Sequence, residues 1–241
     1  MMRGLALRLW GPMQSWGGPA AGEDRPSFDV PTQSGVIGLV AAGLGWDRRA
    51  VEPMAELTRA LALVVRVDGP GQRGVDFHTS ELVPRADGKI RKDPVVSRRG
   101  YLYDASFVAL LVELEPPPVS LEEIVTALRY PRFVPYLGRK ACPPAAPVLA
   151  VETVLEAATW EAMLARIPLE PLPPPGARLP DLHVDARLAP AATERPLRLR
   201  DVPTGARRFF AERVVHPVAF EEGRHAPARA VGEDTVTPWF D

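Results

Sequence analysis

Leu5, Leu7 and Leu9 alternate with Ala6, Arg8 and Trp10, the period-two pattern of a half-buried strand. After a loop the period lengthens. In PTQSGVIGLVAAGLGW, Pro31 to Trp46, the residues Ile37, Val40 or Ala41, and Leu44 fall on one helical stripe. Ser34, Gly38, Ala42 and Gly45 form a second stripe of small residues, which lets the helix axis approach a sheet or a neighbouring chain closely. Pro31 with Thr32 or Ser34 starts this helix, and Gly43 to Gly45 stops it. Asp47 to Arg59 reads as a second short helical piece, and Leu61, Leu63, Val65 and Val67 as another alternating strand. Residues 69–105 break the alternation, and Phe107 to Leu114 is a continuous apolar strand. Ser120 with Glu123 makes a capping box ahead of Ile124, Val125 and Leu128, a helix ended by Pro131. Val148 to Leu155 reads as a fourth strand.

The order strand, helix, strand, insertion, strand, helix, strand predicts an α+β fold, a ferredoxin-like (RRM-like) domain over residues 1–155. Such domains are a common RNA-binding platform, although a fold alone does not give a function. Asp87-Gly88, between Val75–Val83 and Ile90–Val96, predicts a β-hairpin inside the insertion. Residues 156–241 read as a β-rich C-terminal extension. In it Thr159 caps a short helix (160–167), and Pro168 to Pro180 carries six prolines and forms an extended linker. Strand-like pieces follow at 181–188, 196–202 and 207–220.

Composition narrows the function classes. The chain has 241 residues, 46% of them hydrophobic, enough to bury a substantial core. Lysine and arginine number 29 against 30 acids, so an argument for a nucleic acid partner must be local. Proline, at 28 residues, is about twice its usual ~5% share, which predicts long irregular connections. A lone cysteine, Cys142, excludes an intrachain disulfide and any multi-cysteine zinc site. The first residues carry Arg3 and Arg8 and lack a continuous apolar run, so they do not read as a signal peptide, and a cytoplasmic protein is expected. The apolar run from Val36 to Leu44 is too short for a bilayer span of roughly 20 residues. Its glycines fit neither G-x-G-x-x-G nor a Walker loop, yet the start of the helix would offer N–H groups to a phosphate.

Three windows are locally basic. Pro84 to Gly100 holds Arg85, Lys89, Arg91, Lys92, Arg98 and Arg99 against Asp87 and Asp93. Arg129 to Lys140 holds Arg129, Arg132, Arg139 and Lys140 with no acid, interleaved with Tyr130, Phe133 and Tyr136. Arg195 to Arg213 holds six arginines against Asp201 and Glu212. A basic hairpin reads either as an arm reaching an anion or as a solvated loop, and the aromatics either as stacking faces for single-stranded RNA or as core.

Catalytic groups are sparse. His78, His183, His216 and His225 lie far apart without metal-ligand spacing. Asp76 and His78 share a face if they lie on a strand, but a locally hydrogen-bonded His78 at the base of the hairpin is the stronger reading. Ser15 does not sit in a nucleophile elbow.

Five stretches together carry a resemblance. LRLWGPMQSWG (Leu7 to Gly17), the PTQSGVIGLVAAGLGW helix, VDFHT (Val75 to Thr79), SRRGYLYDASF (Ser97 to Phe107) and PYLGRKACPPA (Pro135 to Ala145) closely resemble, in order and spacing, the CasD subunits of type I-E CRISPR Cascade. Those are crRNA 5′-handle-binding members of the repeat-associated (RAMP) superfamily. The similarity is dense from residue 5 to about 155. It implies a non-catalytic RNA-binding subunit for antiviral defence, with a modified ferredoxin-like fold and a hairpin thumb, here about residues 78–100. It also implies a cap on the 5′ handle of the crRNA, contacts with the adjacent backbone subunit and the large subunit, and target DNA met only through the complex. No cofactor, metal or membrane is implied.

On that basis the handle-facing surface comprises Met13, Gln14, Ser15 and Trp16, the helix start Gln33, Ser34 and Gly35, and Gly138 to Lys140. The hairpin adds His78, Lys89, Arg91 and Lys92. Chemistry assigns Arg25, Arg98, Arg99, Arg139 and Lys140 to phosphates, Trp16 and Tyr101 to stacking, and Gln14 and Gln33 to base edges or 2′-hydroxyls. The competing function is a metal-independent endoribonuclease acting on repeat RNA, with His78 as base and Tyr101 or Lys92 as helper. A scaffold without RNA contact is the third.

Overall fold

The computed structural model describes residues 1–20, 22–47, 49–85, 87–170, 181–188, 195–204, 209–221 and 224–225. In chain order the N-terminal elements are β1 (Met2–Trp10), β2 (Met13–Gln14), β3 (Trp16–Gly17), β4 (Asp24–Arg25), β5 (Ser27–Phe28), α1 (Gln33–Leu44), α2 (Val51–Ala60) and β6 (Leu61–Gly69). There follow β7 (Gln72–Ser80), β8 (Val95–Tyr103), β9 (Ser106–Glu113), α3 (Leu121–Arg129), β10 (Leu155–Ala157) and α4 (Trp160–Leu164). The last are β11 (Asp181–Asp185), β12 (Leu197–Thr204) and β13 (Phe209–Ala219).

Seven strands make one antiparallel sheet in the order β10-β1-β9-β6-β11-β13-β12. The apolar pattern dictates what lies on each face. Leu5, Leu7 and Leu9 of β1 join Leu63, Val65, Ala109 and Leu111 under Ile37 and Val40 of α1 and Ile124 and Leu128 of α3. Ala6, Val64, Val108, Leu110 and Val112 project to the other face, against Trp160, Met163, Leu164 and Ile167. Covered on both faces, β9 has to be continuously apolar, as its sequence FVALLV is.

The helix signals act as local chemistry requires. Thr32 caps α1 by accepting from the Gly35 N–H, and Gly45 ends it in the left-handed conformation at φ +77°. Ser120 and Glu123 form the reciprocal capping box of α3. In α1 the buried face is Gln33, Val36, Ile37, Leu39, Val40, Ala41 and Gly43. The small-residue stripe is closely packed only at its end: Gly45 lies against Arg132, whereas Gly38 is exposed with open space beside it.

Arg66 and Asp68 point from β6 into the second face and are both fully buried. The guanidinium pairs with the two Asp68 oxygens at 2.6 and 3.0 Å, and donates to the Ile167, Pro168 and His225 carbonyls. It thereby ties the segment after α4 to the sheet.

Three boundaries differ from the sequence reading. The fourth strand is β10, later than Val148–Leu155. Residues 148–150 only accompany β1, through Arg8 N–H to the Val148 carbonyl and Ala150 N–H to the Ala6 carbonyl. The hairpin strands lie further from the tip than expected, and the Asp87-Gly88 turn closes a separate small bridge, Pro84 to Ile90. The C-terminal strands continue the sheet from β6 across residue 155, since Val184 of β11 pairs with Val64 and Leu182 with Arg66. The linker segment 171–180 and the pair Arg207 and Arg208 of the third basic window lie outside the described residues.

Candidate nucleic-acid interface

The long loop after β1 is held by short strand pairings. β2 pairs with Leu102 and Tyr103 of β8, β4 runs parallel to Arg98 and Arg99 of β8, and β3 pairs with β5. β7 and β8 form an antiparallel ribbon outside the large sheet, in register from Gln72↔Tyr103 to Ser80↔Val95.

This brings the three expected segments together. The Ser15 N–H donates to the Leu137 carbonyl at 3.1 Å. A Cβ on Gly35 would lie 2.8 Å from the Trp16 ring, and one on Gly138 would collide with the Ser15 carbonyl. Residues 13–16, 33–35 and 138–140 are therefore one contiguous site. A cleft of about 190 Å³ lies among Ser34, Gly35, Gly38, Tyr136 and Gly138.

Several side chains given RNA roles are instead spent inside it. Trp16 is fully buried and donates its indole N–H to Gln14 Oε1 at 3.0 Å. The Gln14 amide nitrogen in turn donates to the Leu9 and Ala105 carbonyls at 3.1 and 2.7 Å. Ser15 Oγ donates to the Gly100 carbonyl at 2.9 Å, and Met13 packs against the core. Gln33 is buried, its amide nitrogen donating to the Thr58 and Leu61 carbonyls. Tyr101 is 2% exposed and covered by Arg139, whose guanidinium carbon lies 4.9 Å from the ring centroid. Stacking by Trp16 or Tyr101 and base-edge reading by Gln14 or Gln33 are thus corrected: neither ring has a free face, and the amide nitrogens are committed to carbonyls.

The helix start is also corrected. The Gln33 N–H donates to Asp201, the Gly35 N–H to Thr32 Oγ1 and the Val36 N–H to the Thr32 carbonyl. With those donors used, the open anion site expected there is reduced to its Ser34 edge.

The cationic groups stay outward. Across the sheet Arg99 lies between Asp76 of β7 and Arg25 of β4, on the ribbon face that also carries His78. Arg99 Nε donates to Ser97 Oγ at 3.1 Å. Arg139 joins this group by donating to the Arg25 and Gly100 carbonyls at 2.6 and 3.2 Å. A guanidinium has five N–H donors, so these two bonds leave Arg139 others. Arg25, Lys140, Lys89, Arg91, Lys92 and Arg98 are exposed. His78 is exposed as well; among the described residues no side-chain hydrogen bond holds it, in contrast to the local bond expected.

The other basic windows separate by role. Arg129 pairs with Glu152, Arg198 and Arg200 with Glu212, and Arg213 with Asp201, so these charges are internally balanced. Tyr130, Phe133 and Tyr136 are exposed rather than core. With Gly38, Ala42, Trp46 and Met54, Phe133 and Tyr136 line an apolar groove of about 650 Å³. Phe77, in VDFHT on β7, is the most exposed of the aromatics that had no assigned role in the sequence analysis. Among the described residues no cluster of three or more metal-ligating side chains occurs, and no helix is long and apolar enough to cross a membrane.

CasD, described as a "CRISPR system Cascade subunit", of Escherichia coli (strain K12) is 36% identical over 151 residues, 58% of this chain. The match spans 66% of that relative's length. A solved "CRISPR RNA-guided surveillance complex" contains a chain with TM-score 0.70 and 31% identity, with 89% of each chain covered. A "Crystal structure of Cas protein" matches with TM-score 0.67 and 31% identity over 94% of this chain and 98% of the other. The profile of the family described as CRISPR-associated protein (Cas_Cas5) matches residues 4–220, and the chain therefore belongs to this CRISPR-associated family.

Proposed function

We propose that the chain is a non-catalytic crRNA-binding subunit of a type I-E Cascade surveillance complex, working in the cytoplasm. It caps the 5′ handle and contacts the adjacent backbone subunit and the large subunit, and it meets target DNA only through the assembled complex. The observation that carries this reading is the convergence of Arg25, Arg99 and Arg139, the last on the loop that also carries Gly138 of the cleft and the exposed Lys140, in a chain of net charge −1. A basic cluster concentrated at one place on an otherwise balanced chain suits a polyanion.

In this reading β1, α1, β6, β9, α3 and β10 are the ferredoxin-like unit, supported by the antiparallel order β10-β1-β9-β6 with α1 and α3 on one face. The β7–β8 ribbon is the thumb, inserted between the second and third strands of that unit. The clasp of Trp16, Gln14 and Ser15 positions the cationic groups rather than touching RNA itself.

Replacing Arg25, Arg99 and Lys140 together by glutamate tests the reading; Arg139 is left in place because it also holds backbone. Handle RNA affinity is expected to fall by at least about tenfold, and the salt slope by about two, the value for three phosphates on a single strand. An unaltered affinity and slope would overturn RNA contact at this site. Discrete cleavage of repeat RNA in EDTA, lost in His78→Ala, would replace it with the endoribonuclease.

A further inference from the structure

Phe77 is 64% exposed on β7 and directly opposite Arg98 on β8, whose guanidinium carbon lies 5.8 Å from the ring centroid. Val75, also 64% exposed, and Val96 flank the pair on the same ribbon face, in the Val75↔Gly100 and Thr79↔Val96 rows. Single exposed apolar residues are common on proteins and need no explanation. What sets this one apart is that a strand fixes the ring, a cation lies over it, and the surrounding hairpin is basic, with Lys89, Arg91 and Lys92 exposed towards the tip.

Resting on the RNA-binding reading above, we propose that Phe77 and Arg98 form a stacking platform for one unpaired base of the bound single-stranded RNA. An aromatic ring beside a guanidinium offers two flat surfaces, and base stacking on such surfaces is indifferent to base identity. Among the described residues β7 pairs with β8 alone, which leaves its other edge without a strand there. The alternation of the strand puts Arg99 and His78 on one face and Phe77 and Arg98 on the other. A strand whose phosphates meet Arg25 and Arg99 therefore reaches Phe77 by passing around the free edge of β7, and a single base lies on the ring. A protein partner fits the face less well: a stable interface takes about 800 Å² from each partner, and this face offers Val75, Phe77 and Val96 around one arginine.

The test uses the purified full chain and single-stranded repeat RNAs, each carrying one 2-aminopurine at a successive position. Fluorescence quenching at one position is expected, lost in Phe77→Ala and kept in Phe77→Trp. Affinity in Phe77→Ala is expected to fall about tenfold with no change in salt slope, since stacking releases no counterions. Because Phe77 is exposed, the variant's unfolding midpoint should match the parent's and exclude misfolding as the cause. If Phe77→Ala binds within twofold of the parent while the arginine and lysine reversals weaken binding, the platform is overturned and the RNA reading stands. If Phe77→Ala leaves RNA affinity intact but breaks association with another subunit, the face belongs to a protein partner and the platform is likewise overturned. If the parent chain binds no RNA, both readings fall.

Discussion

The Asp201 carboxylate lies 2.8 Å from the backbone nitrogen of Gln33, 168 residues earlier in the chain. The C-terminal strands thus supply the anion that the start of α1 attracts. Asp201 also receives Arg213 at 3.1 and 2.7 Å. Arg213 lies 3.8 Å from Asp185, which Arg187 grips in turn, and Arg187 donates onward to the Arg59 and Leu61 carbonyls. An alternating row of acid and base therefore fastens β11, β12 and β13 to α1 and the end of α2.

Asp201→Ala leaves the buried Arg213 guanidinium with the longer Asp185 contact at 3.8 Å and removes the acceptor of the Gln33 N–H. A loss of about 3–5 kcal/mol is expected, as for breaking one side of a buried pair, with Asp201→Asn losing less because its amide oxygen still accepts. Urea unfolding monitored by tryptophan fluorescence measures both. Handle RNA affinity of the folded fraction should not change, because Asp201 is interior.

Arg66 makes a different prediction. Burial pushes the Asp68 carboxyl up, against the pull of the Arg66 guanidinium, so the pair depends on both partners being present. Arg66→Met strands a buried carboxylate and frees three carbonyls, and should cost about 3–5 kcal/mol. The double variant Arg66→Met with Asp68→Leu should recover much of that loss, as exchanging a buried pair for apolar groups often does. A double variant no more stable than the single one in urea titration would show that the carbonyl bonds, not the ion pair, dominate.

Much of this fold could be read from local pattern. The caps at Thr32, Ser120 and Thr159, the stop at Gly45 and the apolar runs of β1, β6 and β9 depend on neighbouring residues alone. Chemistry that depends on distant partners could not. Nothing near Gln33 announces Asp201, and nothing near Tyr101 announces the covering Arg139. A glutamine, serine and tryptophan in a glycine-rich loop look like ligand-binding groups until the Leu9, Ala105 and Gly100 carbonyls are seen to use them. The basic residues of the site were legible because lysine and arginine in an unbalanced window have few places to go except outward. Nothing local tells that Phe77 faces outward, because that depends on the ribbon lying outside the large sheet.

Gly138 and Gly35 hold the junction of the three site segments. Gly138 has φ +84° with the Ser15 carbonyl against its Cα, and Gly35 has the Trp16 ring there. Gly138→Ala combines a strained backbone with a collision against main chain, and should cost about 3 kcal/mol or more. Gly35→Ala meets a side chain that can shift slightly, at about 1–3 kcal/mol. In both variants RNA affinity should fall with stability, because the loop bearing Arg139 and Lys140 moves off Ser15. Thermal unfolding with RNA titration on the same samples checks this, and a destabilised Gly138→Ala of full RNA affinity would separate the loop from the site.

Two histidines, His225 fully buried and His183 partly buried, make stability depend on pH on the acid side. Burial lowers His183 below the ordinary histidine value; Arg213 adds to this, while Asp181 and Asp29 oppose it. Burial likewise lowers His225, aided by Arg224 and Arg66 and opposed by Glu221 and Glu161. Among the described residues His183 Nδ1 and His225 Nε2 have no hydrogen-bond partner, and the His225 ring lies stacked on Trp160 at 5.8 Å. Between the depressed native values and the unfolded value of about 6.5, the unfolded chain binds the protons that the native chain refuses. Their contribution is therefore complete above that value and is lost as pH falls through the native ones, by at most about 1.4 kcal/mol per pH unit for each ring. Asp68 acts in the opposite sense, since a raised carboxyl takes up its proton in the native state first. Comparing the parent with His183→Gln/His225→Asn at each pH removes that shared effect. Asparagine at 225 keeps an acceptor for the Glu221 N–H, which His225 Nδ1 accepts at 2.9 Å. The parent should lose urea stability relative to the double variant between pH 7 and 5, and a constant difference across that range would show that these histidines take up protons equally in both states.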